Sequence, residues 1–305
     1  MSLSRNLITL TVAATTLPVL HAAPHCPGNV ASLNLRFVQS SLIVVPVLIN
    51  HSGPYDFIVD TGAQVSTVDI SLAADLHLRE EGKTGVSGAA TQLRSSYAYL
   101  DHLQVGTHSI PNSLAVIQDL VQLKSADPRI RGILGSNFLQ HFDMLIDNRG
   151  HILCLDDSDT LAKAVKGEHV PLAQPHGSQQ DLPFTQPLIV AARLSAGDAS
   201  PVLLRLDSGS NTPLLYATDG RVPSKSKGEP SILKRVANGA EQSFPVLPTQ
   251  DIQIGTHTVT QVSFVMPMNS IGVGPKPRED GLLPTMAFQR IFISPRGRYA
   301  ALEPW

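Results

Sequence analysis

A chain of 305 residues has room for two domains of ordinary size, and 42% apolar residues can supply each with a core. Charged residues make up 16% and the formal net charge is -2, which excludes a basic field for nucleic acid and a strongly acidic tail. Twenty-two Gly and 23 Pro, among many Val, Thr and Ser, favour strands and turns over helices.

Residues 1–22 have the pattern of a secretory signal: Arg5, an apolar run from Leu7 to Leu20, and Leu20-His21-Ala22 as cleavage site. The expectation is an exported protein, periplasmic or secreted. Ala23-Pro24-His25 before Cys26 lacks the lipoprotein pattern, and no other stretch has the length of a membrane helix. Cys26 and Cys154 are the only thiols, and the sequence leaves a disulfide and a buried free thiol equally open.

A first unit is expected over residues 32–157. Leu42 to Ile49 reads as a strand, Asn50 to Pro54 as a turn, and the chain then runs back towards Asp60, making a hairpin. Asn50-His51-Ser52 also matches a glycosylation acceptor. Ser71 is placed to cap a short helix through Leu76, Gly85-Val86-Ser87-Gly88 marks a hairpin tip, and Leu103 to Gly106 a strand and turn. Gly132-Ile133-Leu134-Gly135 follows, with Ser136 as cap of a helix over 137–142, then strands at Met144–Asp147 and Ile152–Leu155. Residues 158–184 turn polar and read as a linker with one helical turn near Leu161 to Val165, leaving 185–305 as a second unit.

The stretch 57–69, FIVDTGAQVSTVD, carries the chemistry. Three strand formers run into Asp60, Thr61 and Gly62, and Gly62 is expected to turn the chain at positive φ. Residues 202–216, VLLRLDSGSNTPLLY, repeat the design with Asp207, Ser208 and Gly209. Asp60 to Asp207 is 147 residues, while Val105-Gly106-Thr107-His108 to Ile254-Gly255-Thr256-His257 and Gly132-Ile133-Leu134 to Gly281-Leu282-Leu283 are each 149. Three matches in one order at nearly one offset imply two copies of one fold. A second helix is expected after Leu283, with Pro284 in its first turn and Ala287, Phe288 and Ile291 as its buried face.

Asp-Thr-Gly-Ala, a Gly-rich hairpin and an apolar pair with Gly, twice in one chain, resembles the retropepsin and pepsin class of aspartic proteases over residues 40–155 and 186–303. The resemblance implies a mainly β, bilobal fold with two β lobes about a pseudo-two-fold axis. It implies Asp60 and Asp207 as the catalytic pair, Thr61, Gly62, Ser208 and Gly209 as support, and Gly85, Val86, Ser87 and Gly88 as a flap over a peptide or protein substrate. Val236 to Ala240 would be the second half's counterpart of the flap. The chemistry agrees: two carboxyls in contact share a proton, one serving as base towards water and the other as acid towards the carbonyl oxygen, with no metal, cofactor or covalent intermediate.

Two departures fall in the second half. Pro284 stands where the first half has Gly135, and Arg205 matches Ile58, two residues before Asp207 on the same strand face. Arg205 either pairs with Asp207 or points out of a twisted strand. The alternatives to an active monomeric endopeptidase are an inactive exported peptide-binding protein that keeps the cleft, and a homodimer of first halves. Ser224-x-x-Lys227 reads as a solvated loop, and the 11 His have no metal-site spacing; His108 and His257 sit in matched turns.

Overall fold

The computed structural model describes residues 25–87, 92–177, 186–195, 200–216, 231–237, 240–267 and 278–305. The expectations for residues 1–22, Gly88, Ser224, Lys227, Asn238 and Gly239, and for 178–184 of the linker, lie outside these residues.

Alternating and continuous apolar runs give a mainly β chain, its described residues arranged in three larger sheets and a hairpin. The first half builds an eight-stranded sheet in the order Arg36–Val38, Leu42–Ile49, Ser52–Val59, Ile130–Leu134, Ser66–Asp69, His108–Gln118, Gln92–Val105, Gly82–Ser87. The second half builds a six-stranded sheet: Leu214–Leu215, Gly281–Pro284, Val202–Asp207, Ile189–Leu194, Gln250–Ile254, His257–Val262. Both halves contribute to another six-stranded sheet, ordered Ser32–Asn34, Ile152–Asp156, Asp143–Asp147, Phe288–Ser294, Tyr299–Pro304, Val170–Pro171. The stretch read as a linker thus holds a helix, Thr160–Ala164, and a strand, Val170–Pro171, that pairs with Tyr299–Pro304. One apolar cluster runs from Val45, Phe57 and Phe138 to Leu204, Phe264 and Phe288.

The two halves pair their strands in corresponding registers. Phe57, Ile58 and Val59 run parallel to Gly132, Ile133 and Leu134, as Leu204, Arg205 and Leu206 do to Gly281, Leu282 and Leu283. Thr67 and Val68 lie opposite Ile133 and Gly132, and Leu214 and Leu215 opposite Leu282 and Gly281. Thr67 also pairs in parallel with Val116, and Leu214 with Val265. The turn read over Asn50 to Pro54 is shorter, because Ser52 already pairs with Ile49: only Asn50 and His51 make it, both at positive φ (49° and 66°), the geometry that suits a two-residue hairpin loop.

Several local expectations are corrected. Asp69, not Ser71, caps the helix Ile70–Asp75, accepting the Ser71 N–H at 3.1 Å. A helix not expected from the sequence forms at Val121–Ala126, and the one expected over 137–142 is Ser136–Leu139 with Gly135 at its N-cap, so it is shorter than expected and Ser136 is free for another bond. After Leu283 only a 3-10 turn forms, Thr285–Ala287, and Phe288 begins a strand. The strand wins because Phe288–Ser294 has a partner on each side, Asp143–Asp147 and Tyr299–Pro304, and its apolar residues are buried between them. Cys26 and Cys154 form a disulfide that ties the N-terminal arm to the strand Ile152–Asp156.

Candidate active site

Each carboxylate stands where a buried strand leaves its sheet. Phe57, Ile58 and Val59 are buried, and the Asp60 N–H donates to the Leu134 carbonyl at 3.0 Å, holding the acid at the end of the ladder. Asp207 ends the strand Val202–Asp207 opposite Pro284. Asp60 Oδ1 accepts the N–H groups of Gly62 and Ala63 at 2.8 and 2.9 Å, whereas Asp207 Oδ1 accepts that of Gly209 at 2.8 Å.

Thr61 and Ser208, both buried, cross between the halves in reciprocal fashion. The Thr61 N–H donates to Ser208 Oγ at 3.1 Å and the Ser208 N–H to Thr61 Oγ1 at 3.0 Å. Thr61 Oγ1 then donates to the Leu206 carbonyl at 2.8 Å, and Ser208 Oγ to that of Val59 at 2.7 Å. Four buried bonds therefore fix one acid-bearing loop against the other.

The glycines serve close approach. Gly62 is not among the positive-φ residues, contrary to the sequence expectation. A Cβ on Gly62 would lie 2.7 Å from Asp207 Cγ, and one on Gly209 2.3 Å from Asp60 Cγ. Each loop passes so near the opposite acid that only hydrogen fits between them. The two acid-bearing loops therefore bring the carboxyls of Asp60 and Asp207 together. Burial raises Asp60 above the usual carboxylate range against the opposing N–H bonds of Ala63 and Gly62. Burial raises Asp207 too, and the adjacent negative charge of Asp60 adds to it. Such a pair holds one proton in common where isolated acids would both be ionised.

The helix Ser136–Leu139 buttresses the Asp60 loop. Its first N–H groups, those of Ser136 and Asn137, donate to the Ala63 and Gln64 carbonyls at 2.8 and 3.0 Å, and Ser136 Oγ donates to the Thr61 carbonyl at 3.2 Å. Asn137 Oδ1 accepts from the Ser66 N–H and hydroxyl at 2.7 and 2.9 Å, while its Nδ2 donates to the Leu114 carbonyl at 2.8 Å. Sequence reasoning passed over Ser66 and Asn137, because nothing in their spacing marks them as a buried polar network.

Arg205 takes neither expected course. Its Nη2 meets Glu279 Oε2 at 2.9 Å, and its Nη1 donates to the Gly62 carbonyl of the opposite half at 3.1 Å. Gly85, Val86 and Ser87 lie on Gly82–Ser87, the edge strand of the eight-stranded sheet, paired with Arg94, Leu93 and Gln92 in a hairpin whose tip is outside the described residues. A hairpin also joins Ser231–Ala237 to Ala240–Val246 at the matched place in the second half. His108 hydrogen-bonds the Leu155 carbonyl and His257 lies 3.6 Å from Glu168, both away from the acids. Among the described residues no cluster of His, Cys, Asp or Glu has metal-holding geometry, and no helix is long and apolar enough to cross a membrane.

Residues 45–138 match the family model described as aspartyl protease. No curated protein matches the chain. Among solved structures, the chain is similar to a retropepsin-like aspartic protease from Rickettsia conorii, with 18% identity, a TM-score of 0.31, and coverage of 41% of this chain and 90% of that one. The segment matched by the aspartyl protease model contains Asp60, Thr61, Gly62, Ser136 and Asn137, the first acid-bearing loop and the helix that buttresses it.

Proposed function

We propose that the protein is a monomeric aspartic endopeptidase whose two halves, copies of one unit about a pseudo-two-fold axis, share the dyad Asp60 and Asp207. The observation that carries this reading is the pair of adjacent carboxyls, Asp207 buried and Asp60 half-buried, locked by the reciprocal Thr61 and Ser208 bonds. Asp60, with two backbone N–H donors, better holds negative charge and serves as base. Asp207, with one, carries the proton. Water between them gives a proton to Asp60 as its oxygen attacks the amide carbon, and Asp207 protonates the carbonyl oxygen. The tetrahedral diol then collapses, the amine leaving with a proton and both acids returning to their starting state.

The hairpin of Gly85, Val86, Ser87 and Gly88 covers an extended peptide. The inactive-binder alternative rested on Arg205 and Pro284; Arg205 is engaged by Glu279 and the Gly62 carbonyl, and Pro284 keeps the strand register opposite Asp207. Export and removal of residues 1–22 agree with the Cys26–Cys154 disulfide, which suits an oxidising compartment. Digestion of a peptide library across pH tests the reading: internal cleavage that Asp60→Asn abolishes is expected. A folded protein that binds a peptide whose scissile amide is replaced by a hydroxyl, yet cuts nothing at any pH, would overturn it.

A further inference from the structure

Arg205 and Glu279 occupy positions that the first half fills with Ile58 and Ile130, which share a small apolar cluster with Val38, Leu42 and Val44. An apolar pair in one half is thus an ion pair in the other, with side chains only 15% and 9% exposed. Burying such a pair is seldom the stable choice, since its desolvation offsets the attraction and apolar replacements of like volume are often neutral or stabilising. Stability alone does not account for it. Its geometry suggests what does: Nη1 crosses to the Gly62 carbonyl, in the loop whose N–H groups hold Asp60, while Arg205 Nε is buried without a partner among the described residues.

We propose that Arg205, aimed by Glu279, is a positioning residue that clamps the Asp60–Gly62 loop from the opposite half and places a fixed cation beside the shared acids. The inference rests on the dyad reading above and extends it to the control of that dyad. The charged and titratable groups gathered there are Asp60, Asp207, Arg205, Glu279 and Tyr216. Arg205 favours the ionised form of both acids, opposing burial, and Tyr216 is raised first by burial and then by Glu279. Without the cation both limbs of a bell-shaped pH–rate profile move to higher pH. Without Glu279 the unbalanced cation moves them to lower pH.

The test uses the full chain and three variants: Arg205→Lys, Glu279→Gln, and the double change Arg205→Ile with Glu279→Ile, which restores the other half's pair. Peptide hydrolysis is followed across pH together with melting and amide hydrogen exchange over residues 61–63. The double variant is expected to melt no earlier than the parent. It should exchange faster at 61–63, lose on the order of tenfold in kcat at its optimum, and shift both limbs upward by about one pH unit. Glu279→Gln should shift them downward, and Arg205→Lys should keep their position while losing part of the rate. Opposite shifts from the double variant and from Glu279→Gln are not a consequence of loosened packing. If the parent and the double variant share one profile and one exchange pattern, the clamp is overturned while the dyad reading stands. Should the parent cut nothing, the dyad reading falls, and unchanged exchange at 61–63 in Glu279→Gln and the double variant still rejects the clamp.

Discussion

The two halves share a ladder and differ in what stands behind it. Each acid-bearing strand runs parallel to a Gly-apolar-apolar strand in the same register, and each loop bonds to the other through Thr61 or Ser208. Behind Asp60, Ser136 and Asn137 hold the loop by N–H groups and side chains. The matched residues in the second half are Thr285, whose buried hydroxyl has no partner among the described residues, and the half-buried Met286. Preceding them, Pro284 has no N–H at all where Gly135 donates to Ser66 Oγ at 3.0 Å. The difference teaches that the placing of two acids in contact depends on strand register and the reciprocal loop bonds, while the buttress behind each loop is free to diverge.

That comparison is broken most severely at the glycines, where the halves must agree. Gly62→Ala and Gly209→Ala each add a Cβ inside contact distance of the opposite carboxyl. Each is expected to lower kcat by about a hundredfold or more in a protein that stays folded, since displaced acids lose their alignment. Peptide hydrolysis beside far-UV circular dichroism checks this, and a strong loss at only one of the two glycines would show that the acids are not equally close-packed.

Where the halves differ, the effects should differ. Asn137→Leu strands the Ser66 N–H and the Leu114 carbonyl in a buried site and is expected to cost about 3 kcal/mol. Met286→Leu, at the matched position, is expected to cost about 1 kcal/mol or less. Denaturant midpoints of the two variants measure the contrast, and equal losses would mean that the second half has a buttress of its own.

How far the sequence could go follows the same division. Asp60, Asp207, Thr61 and Ser208 were legible because they recur at one offset beside strand-forming runs. The role of Gly62 was misjudged, since a tripeptide shows a turn former but not a neighbour 147 residues away that leaves it no room for a Cβ. The helix expected after Pro284 gave way to a strand because the partners of Phe288–Ser294 lie in other parts of the chain. Glu279 was missed although a signal existed: it stands 149 residues after Ile130, as Gly281 stands after Gly132. Reading the offset there would have paired Arg205 with an acid other than Asp207.

A smaller effect concerns Asp69, matched in the second half by Tyr216. Burial alone would raise the Asp69 carboxyl, but the Lys124 ammonium at 2.8 Å, Ser71 and the Leu120 N–H outweigh it and hold it at about 2. A depressed folded-state value contributes stability that is complete above the ordinary carboxylate range and is lost as pH falls from about 4 through 2, roughly 2 kcal/mol in all. Asp69→Asn should therefore lower melting at pH 7 and flatten its decline over that acid range. An unchanged pH dependence of melting would show that the Lys124 pair is not what holds Asp69 down.

The central claim is that one chain makes one site from both halves, and Asp207 tests it most directly. Peptide hydrolysis is measured across sedimentation fractions of the parent, of Asp60→Asn and of Asp207→Asn. The account predicts activity in the parent's monomer fractions, and a loss of about a thousandfold or more in either variant. The double variant should be no worse than either single one. Parent-like hydrolysis by Asp207→Asn, in monomer or dimer fractions, would contradict it and leave the second half as scaffold.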